Sequence, residues 1–298
     1  MVFNSDMRNN FEVERTKEGI ELNRTHVENL EISIVDGLCA ADLYHPSRQR
    51  DTFFYKEHVL APLIHQGEVC DGSSGPFDDR KFRLNSTSIE GGVLKVYLGI
   101  THYHALQEDM HRTLFDNLAL QERGRKEFKD PYAFFSRAIG VTAAPISLEG
   151  SVFLGERKNK NGKGLLHVAG GYVDYRESLR SLDLKREAMR EMEEEFGISP
   201  SDIRNLIFVG VYGNSLTGEV DFTYLALTHL PDAYFLSDAW RKRAKDNEHQ
   251  SLIKISDYES LTRLLRQSIV LPDYDKNWEL MYSARGALMS INPHEMSL

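Results

Sequence analysis

The sequence predicts an α+β protein of two parts: a β-rich N-terminal α+β region over residues 1–137 and a second domain over residues 138–298. Three observations lead there. Asp130-Pro131 punctuates the chain, and after Phe135 its texture changes, small apolar runs replacing a helical, charged stretch. From about residue 138 the hydrophobic patterns run strand, strand, strand, helix, strand, strand, strand, helix. The length of 298 residues suits one large or two modest domains, each able to bury a core.

The elements follow in order. Residues 30–35 alternate apolar and polar and read as a strand. Residues 65–79 are rich in Gly, Ser and Asp and read as a loop. Residues 83–88 and 93–98 flank Gly91-Gly92, which predicts a hairpin. Residues 101–126 are helical and charged. Residues 139–146 and 151–157 read as strands, and 159–164 as a turn between the latter and an apolar run at 165–173 that Gly170-Gly171 interrupts. A helix is predicted over 184–196, with Asp183 as its N-cap and Gly197 as its stop. Residues 205–212, 220–227 and 252–255 read as strands, and 258–267 and 277–289 as helices. Lys and Arg at 241, 242, 243 and 245 form a basic cluster on a solvated loop or helix face.

Composition narrows the function. There are 36 Lys+Arg against 45 Asp+Glu, a net charge of −9, which disfavours a broad nucleic-acid or anionic-membrane surface. A small anionic ligand stays possible, because a bound divalent cation inverts the local charge. Cys39 and Cys70 make no disulfide framework and no CxxC zinc spacing. The polar N-terminus has no apolar signal region, and no apolar run approaches membrane-spanning length. A cytoplasmic protein with reduced thiols and a small-molecule partner is expected.

The predicted helix carries the chemistry. At about 100° per residue, Glu191, Glu194 and Glu195 share a third of its circumference, and Glu187 precedes Glu191 by one turn. Ala188, Met192 and Phe196 repeat on the apolar side, joined by Met189. Adjacent like charges cost a few tenths of a kcal/mol per pair on an exposed helix. Arg190 offsets part of this. Mg²⁺ or Mn²⁺, which prefer oxygen ligands, would offset the rest. Taken alone, such a run is more often a solvated charged face.

The neighbouring residues shift that balance. Residues 190–198 fit R-E-U-x-E-E-x-G-U at each constrained position, U being bulky and apolar, and residues 171–177 fit G-x5-E. These resemble the two halves of the Nudix box, and the surrounding strand order is similar over residues 138–270. The resemblance implies the Nudix fold, a mixed sheet between helices, and hydrolysis of a nucleoside diphosphate linked to a further group. It implies Glu191, Glu194, Glu195 and the Gly170 carbonyl as ligands of Mg²⁺ (or Mn²⁺), Arg190 as the residue orienting the box glutamates, and Glu177 as a supporting carboxylate. Glu191 and Glu194 then serve the chemistry directly, Glu191 as base or ligand. Twelve residues, 178–189, stand where the box usually has seven. Either the extra five lengthen the loop before the helix, or Glu177 matches by chance and the first box Glu is absent. Glu219, Asp221 and Glu248 are alternative general bases, or ordinary loop acids.

The stretches YLGITHY at 97–103 and IGVTAA at 139–144 resemble those of the Nudix group that hydrolyses UDP-glucose and UDP-galactose. That implies UDP-hexose cleaved to UMP and hexose 1-phosphate, with the N-terminal region enclosing the nucleotide and Tyr172, Tyr212, Phe222 and Tyr224 available to stack on uracil. ADP-ribose or another nucleoside diphosphate derivative is the alternative substrate. A nucleotide-binding module without turnover is the third reading. His102 and His104 suit one strand face, with no third ligand near in sequence.

Overall fold

The computed structural model describes residues 29–34, 80–90, 93–158, 163–175, 182–266, 269–270 and 277–296. Cys39, Cys70, the 65–79 loop, the Gly91-Gly92 turn and Glu177 lie outside the described residues.

The N-terminal region builds a three-stranded sheet from β1 (Asn29–Ile34), β2 (Arg80–Glu90) and β3 (Val93–His102) in the order β1-β3-β2. β2 and β3 form the antiparallel hairpin, bulged between Leu84 and Ser86, and β1 runs parallel to β3. The 101–126 stretch is two helices, α1 (Tyr103–His111) and α2 (Leu114–Phe128). The break falls at Thr113, whose hydroxyl caps α2 by accepting from the Asp116 amide.

The main sheet has seven strands: β4 (Ile139–Ile146), β5 (Val152–Arg157), β6 (Leu166–His167), β7 (Ala169–Tyr172), β8 (Ile203–Gly213), β9 (Val220–Thr228) and β10 (His249–Ile255). Its order is β10-β5-β4-β9-β8, with β6 on β5 and β7 on β4. β4 and β9 are parallel, and every other pairing is antiparallel. The apolar run at 165–173 is therefore two short strands that change partner at Val168.

Alternation along the strands feeds two apolar layers. On one face Ile139, Val141, Phe153, Phe222 and Tyr224 pack with Ala188, Met192 and Phe196 of α3 (Leu184–Phe196). On the other face Ala144, Ile146, Val152, Leu154 and Leu225 pack under the two C-terminal helices. Two short helices, α4 (Asp232–Leu236) and α5 (Ala239–Arg243), precede β10; α5 carries Arg241, Lys242 and Arg243 of the basic cluster, and Lys245 follows it. α6 (Tyr258–Arg266) follows as expected. The helix expected at 277–289 is shorter. Residues 277–278 are β12 (Asn277–Trp278), paired with β11 (Ile269–Val270), and only α7 (Tyr282–Met289) is helical. The result is a mixed sheet between helices. Among the described residues, no helix is long and apolar enough to cross a membrane.

The N-terminal region is joined to this sheet through main-chain bonds. The Phe82 amide donates to Val173 O and the Tyr175 amide to Arg80 O. Phe82, Leu84, Leu94, Val96 and Leu98 enter the same apolar layer as α3. Arg83 is buried, and its guanidinium donates to the carbonyls of Tyr132 and Phe135. α2 and the segment after it also grip the turn between β8 and β9: Gln121 Nε2 of α2 donates to the carbonyls of Ser215 and Leu216, and the hydroxyl of Tyr132, beyond the helix, to that of Ser215.

Candidate active site

α3 starts and stops where its local chemistry dictates. Asp183 accepts from the amides of Lys185 and Arg186, and Gly197 closes the helix in the left-handed conformation. Its carboxylates, however, do not form one solvated face. Glu191 is 7% exposed and Glu195 3%, because both lie against β7 rather than outward. An ideal Cβ on Gly171 would sit 2.8 Å from Glu191 Oε1, so a side chain there would push the carboxyl out of its present position. The Gly170 amide donates to the Glu195 carboxylate. The structure thus brings Gly170, Glu191 and Glu195 together, and Glu194 and Arg190 border them.

Arg190 binds three acids at once. Its Nε donates to Glu187 Oε2 at 3.0 Å, and its two terminal nitrogens to Glu194 and Glu191. A planar fork is suited to this and a lysine is not. Burial nevertheless dominates the titration of Glu191. Desolvation, followed by the charge of Glu195, pushes its carboxyl up to about 8 against the pull of Arg190. Burial raises Glu195 well above the carboxylate range too, with Glu248 adding to the rise and Arg157 opposing it.

Two contacts around these acids escaped the sequence reading. Glu195 is met by His249, at the start of β10, with Nε2 3.0 Å from Oε2. Glu248 forms an ion pair with Arg157 at 2.9 Å. His249 is 54 positions from Glu195 in the chain, and no local signal links them.

The donor chemistry fits a hard divalent cation. Two buried carboxylates of raised pKa lie one helical turn apart beside a third, and a cation would relieve their repulsion. The cage is not closed: among the described residues, no three His, Cys, Asp or Glu side chains converge on one point.

The three alternative bases separate. Glu248 acts on Glu195, adding to the rise of its carboxyl. Glu219 and Asp221 form their own pair at the start of β9. Asp221 lies on the face away from α3, against Gly140, and is pushed up to about 8 by burial and by Glu219. The Tyr172 hydroxyl donates to Glu219 Oε2 at 3.1 Å.

This register corrects two of the four aromatics. Phe222 and Tyr224 are fully buried in the α3-side layer, where no base could reach them. The alternation that makes β9 a strand turns them into the core. Tyr172, Gly140, Asp221 and Tyr212 instead fall in one row across β7, β4, β9 and β8. Tyr172 and Tyr212 are half-buried, and the Tyr212 ring lies over Gly286 of α7 with its hydroxyl on Ser290.

These shifts predict how the cation-free protein responds to pH. In the unfolded chain Glu191 and Asp221 ionise near the ordinary carboxylate values, whereas folded they hold their protons to about 8. The folded state then binds more protons than the unfolded, and stability falls as pH rises through this range. His249, pushed down to about 4 by burial and Arg157, acts oppositely but only below about pH 6.5. Melting in EDTA should therefore show stability falling by about 3 kcal/mol between roughly pH 6.5 and 8. A flat profile there would contradict the burial of these acids.

No family model and no curated protein matches the chain. Solved structures similar to the chain include the following three. The Nudix domain of Shewanella oneidensis NrtR, complexed with ADP-ribose, aligns at 17% identity over 50% of this chain and 90% of its own, with a TM-score of 0.33. A MutT/Nudix family protein from Enterococcus faecalis aligns at 16% identity over 39% of this chain and 42% of its own, TM-score 0.27. A Nudix hydrolase from Nitrosomonas europaea aligns at 16% identity over 40% and 71%, TM-score 0.27.

Proposed function

We propose that the chain is a Nudix hydrolase that cleaves the pyrophosphate bond of a nucleoside diphosphate linked to a sugar, UDP-glucose or UDP-galactose being the substrates favoured. The observation that carries the reading is the Arg190 fork on Glu187, Glu191 and Glu194, beside two buried glutamates seated on Gly170-Gly171. A structural helix has no use for two buried carboxyl groups one turn apart; a site for a divalent cation, which would hold both in the ionised form, does.

Glu191, Glu194 and Glu195, with the Gly170 carbonyl, would hold Mg²⁺ or Mn²⁺. When bound, such a cation neutralises phosphate oxygens and lowers the pKa of a water. The chain's own work is positional. Arg190 fixes the rotamers of Glu191 and Glu194. β7 excludes bulk water from behind Glu191. Glu248, ion-paired with Arg157 and acting on Glu195, would be the downstream acid that accepts a proton, with Glu191 as the alternative within the box. Glu177 keeps its supporting role as an expectation from the box spacing. Tyr172 and Tyr212, in one row on the opposite sheet face, are the aromatics left to contact a base.

The test is a panel of UDP-glucose, UDP-galactose, ADP-ribose, a dinucleoside polyphosphate and NADH with Mg²⁺ or Mn²⁺. The proposal expects the highest kcat/KM on a UDP-hexose, with UMP and hexose 1-phosphate as products. An adenosine preference would shift the substrate to ADP-ribose and keep the enzyme class. Failure to cleave any of them would remove the hydrolase reading and leave a binding module.

A further inference from the structure

His249 stands outside the box, 54 positions beyond Glu195, yet its ring is enclosed on three sides. Its side chain is fully buried. The ring of Phe196 meets it edge-on, with centroids 5.1 Å apart. Gly155 of β5 lies beneath it: an ideal Cβ there would sit 2.3 Å from Nδ1 and 2.6 Å from Cε1. Only the absence of a side chain at 155 leaves room for the imidazole. A bulge between His249 and Ser251 sets the aim of the side chain, since one extra residue in the strand turns its neighbour toward the helix.

The bond is one-sided. Nδ1 is buried and has no hydrogen-bond partner. Nε2 shares a hydrogen bond with Glu195 Oε2 at 3.0 Å, the ring's one polar contact to the helix. Glu195 is then pinned by the imidazole and by the Gly170 amide, and its rotamer is set before any cation arrives. A carboxylate held by outer partners is a better ligand than a mobile one, because no side-chain entropy is lost when the cation binds.

We propose that His249 is a positioning residue for the cation site: it holds Glu195 in its ligating rotamer from a seat that Gly155 keeps open. This rests on the reading of Glu195 as a ligand. The experiment is Mn²⁺ binding to the full-length protein without substrate, followed by the electron paramagnetic resonance of free Mn²⁺. It compares wild type, His249→Gln and His249→Leu, with thermal melting to confirm folding. Leu fills the seat without a donor, whereas Gln keeps an N–H. Loss of such an outer-shell partner typically weakens binding by about 10–100-fold. His249→Leu is therefore expected to raise the Mn²⁺ Kd at least about tenfold, and His249→Gln to stay within about threefold of wild type. Gly155→Ala, which leaves the imidazole in place but takes its space, should follow His249→Leu. Equal Kd values for wild type and His249→Leu overturn the role of His249 alone. A wild-type protein that takes up no Mn²⁺ overturns the metal reading and this role with it.

Discussion

Exchanging Glu194 and Glu195 together for glutamine is expected to lower kcat by at least about 10³, equivalent to roughly 4 kcal/mol of transition-state stabilisation. Glutamine keeps the shape and most hydrogen bonds of each side chain but removes the charge that a divalent cation needs. Folding should survive. Glu195 is buried with its carboxyl held toward the neutral form, so its ionised state is one the fold does not favour. The melting temperature without metal is therefore expected to stay at or above that of wild type. Turnover at the wild-type rate on the preferred substrate, with Mg²⁺ saturating, would sink the assignment of these acids to the chemistry. A collapse in stability instead would reassign them to structure.

The second large effect is expected at Arg190, which touches Glu187, Glu191 and Glu194 at once. Arg190→Lys conserves charge, but an ammonium is a point donor and cannot span three carboxylates as a guanidinium does. Glu191, mostly buried, then loses its cationic partner. The expected outcome is a kcat reduced about 10²-fold and a stability loss of about 2 kcal/mol without metal, moderated because Arg190 is partly open to solvent. Denaturant unfolding and steady-state kinetics on the same preparation measure both. A lysine variant with wild-type kcat and unfolding midpoint would show that the fork is incidental.

Much of the site was legible because it is local. The cap at Asp183, the stop at Gly197 and the apolar repeat of Ala188, Met192 and Phe196 are set by residues within four positions of one another. The helix appears between the bounds expected of it. The hairpin of β2 and β3 was equally local. Where the reading slipped, a local pattern had two solutions. The 277–289 stretch alternates weakly, and pairing with residues 269–270 makes its first two residues a strand. The 165–173 stretch has the composition of one strand, but two different partners divide it.

The acids show the division most clearly. Their spacing on one helix follows from 3.6 residues per turn, and so do their mutual repulsion and the reach of Arg190, all properties of the sequence alone. Whether that helix faces water does not follow from spacing. Packing against β7 buried Glu191 and Glu195 and so turned an ordinary charged surface into a site with raised pKa values. Strand register buried Phe222 and Tyr224 while leaving Tyr172 and Tyr212 in one row. A bulge in β10 and a glycine in β5 brought His249 to Glu195. Periodicity and capping act between neighbours and can be read along the chain, whereas desolvation and long-range hydrogen bonds depend on which segments meet, and only the folded sheet decides that.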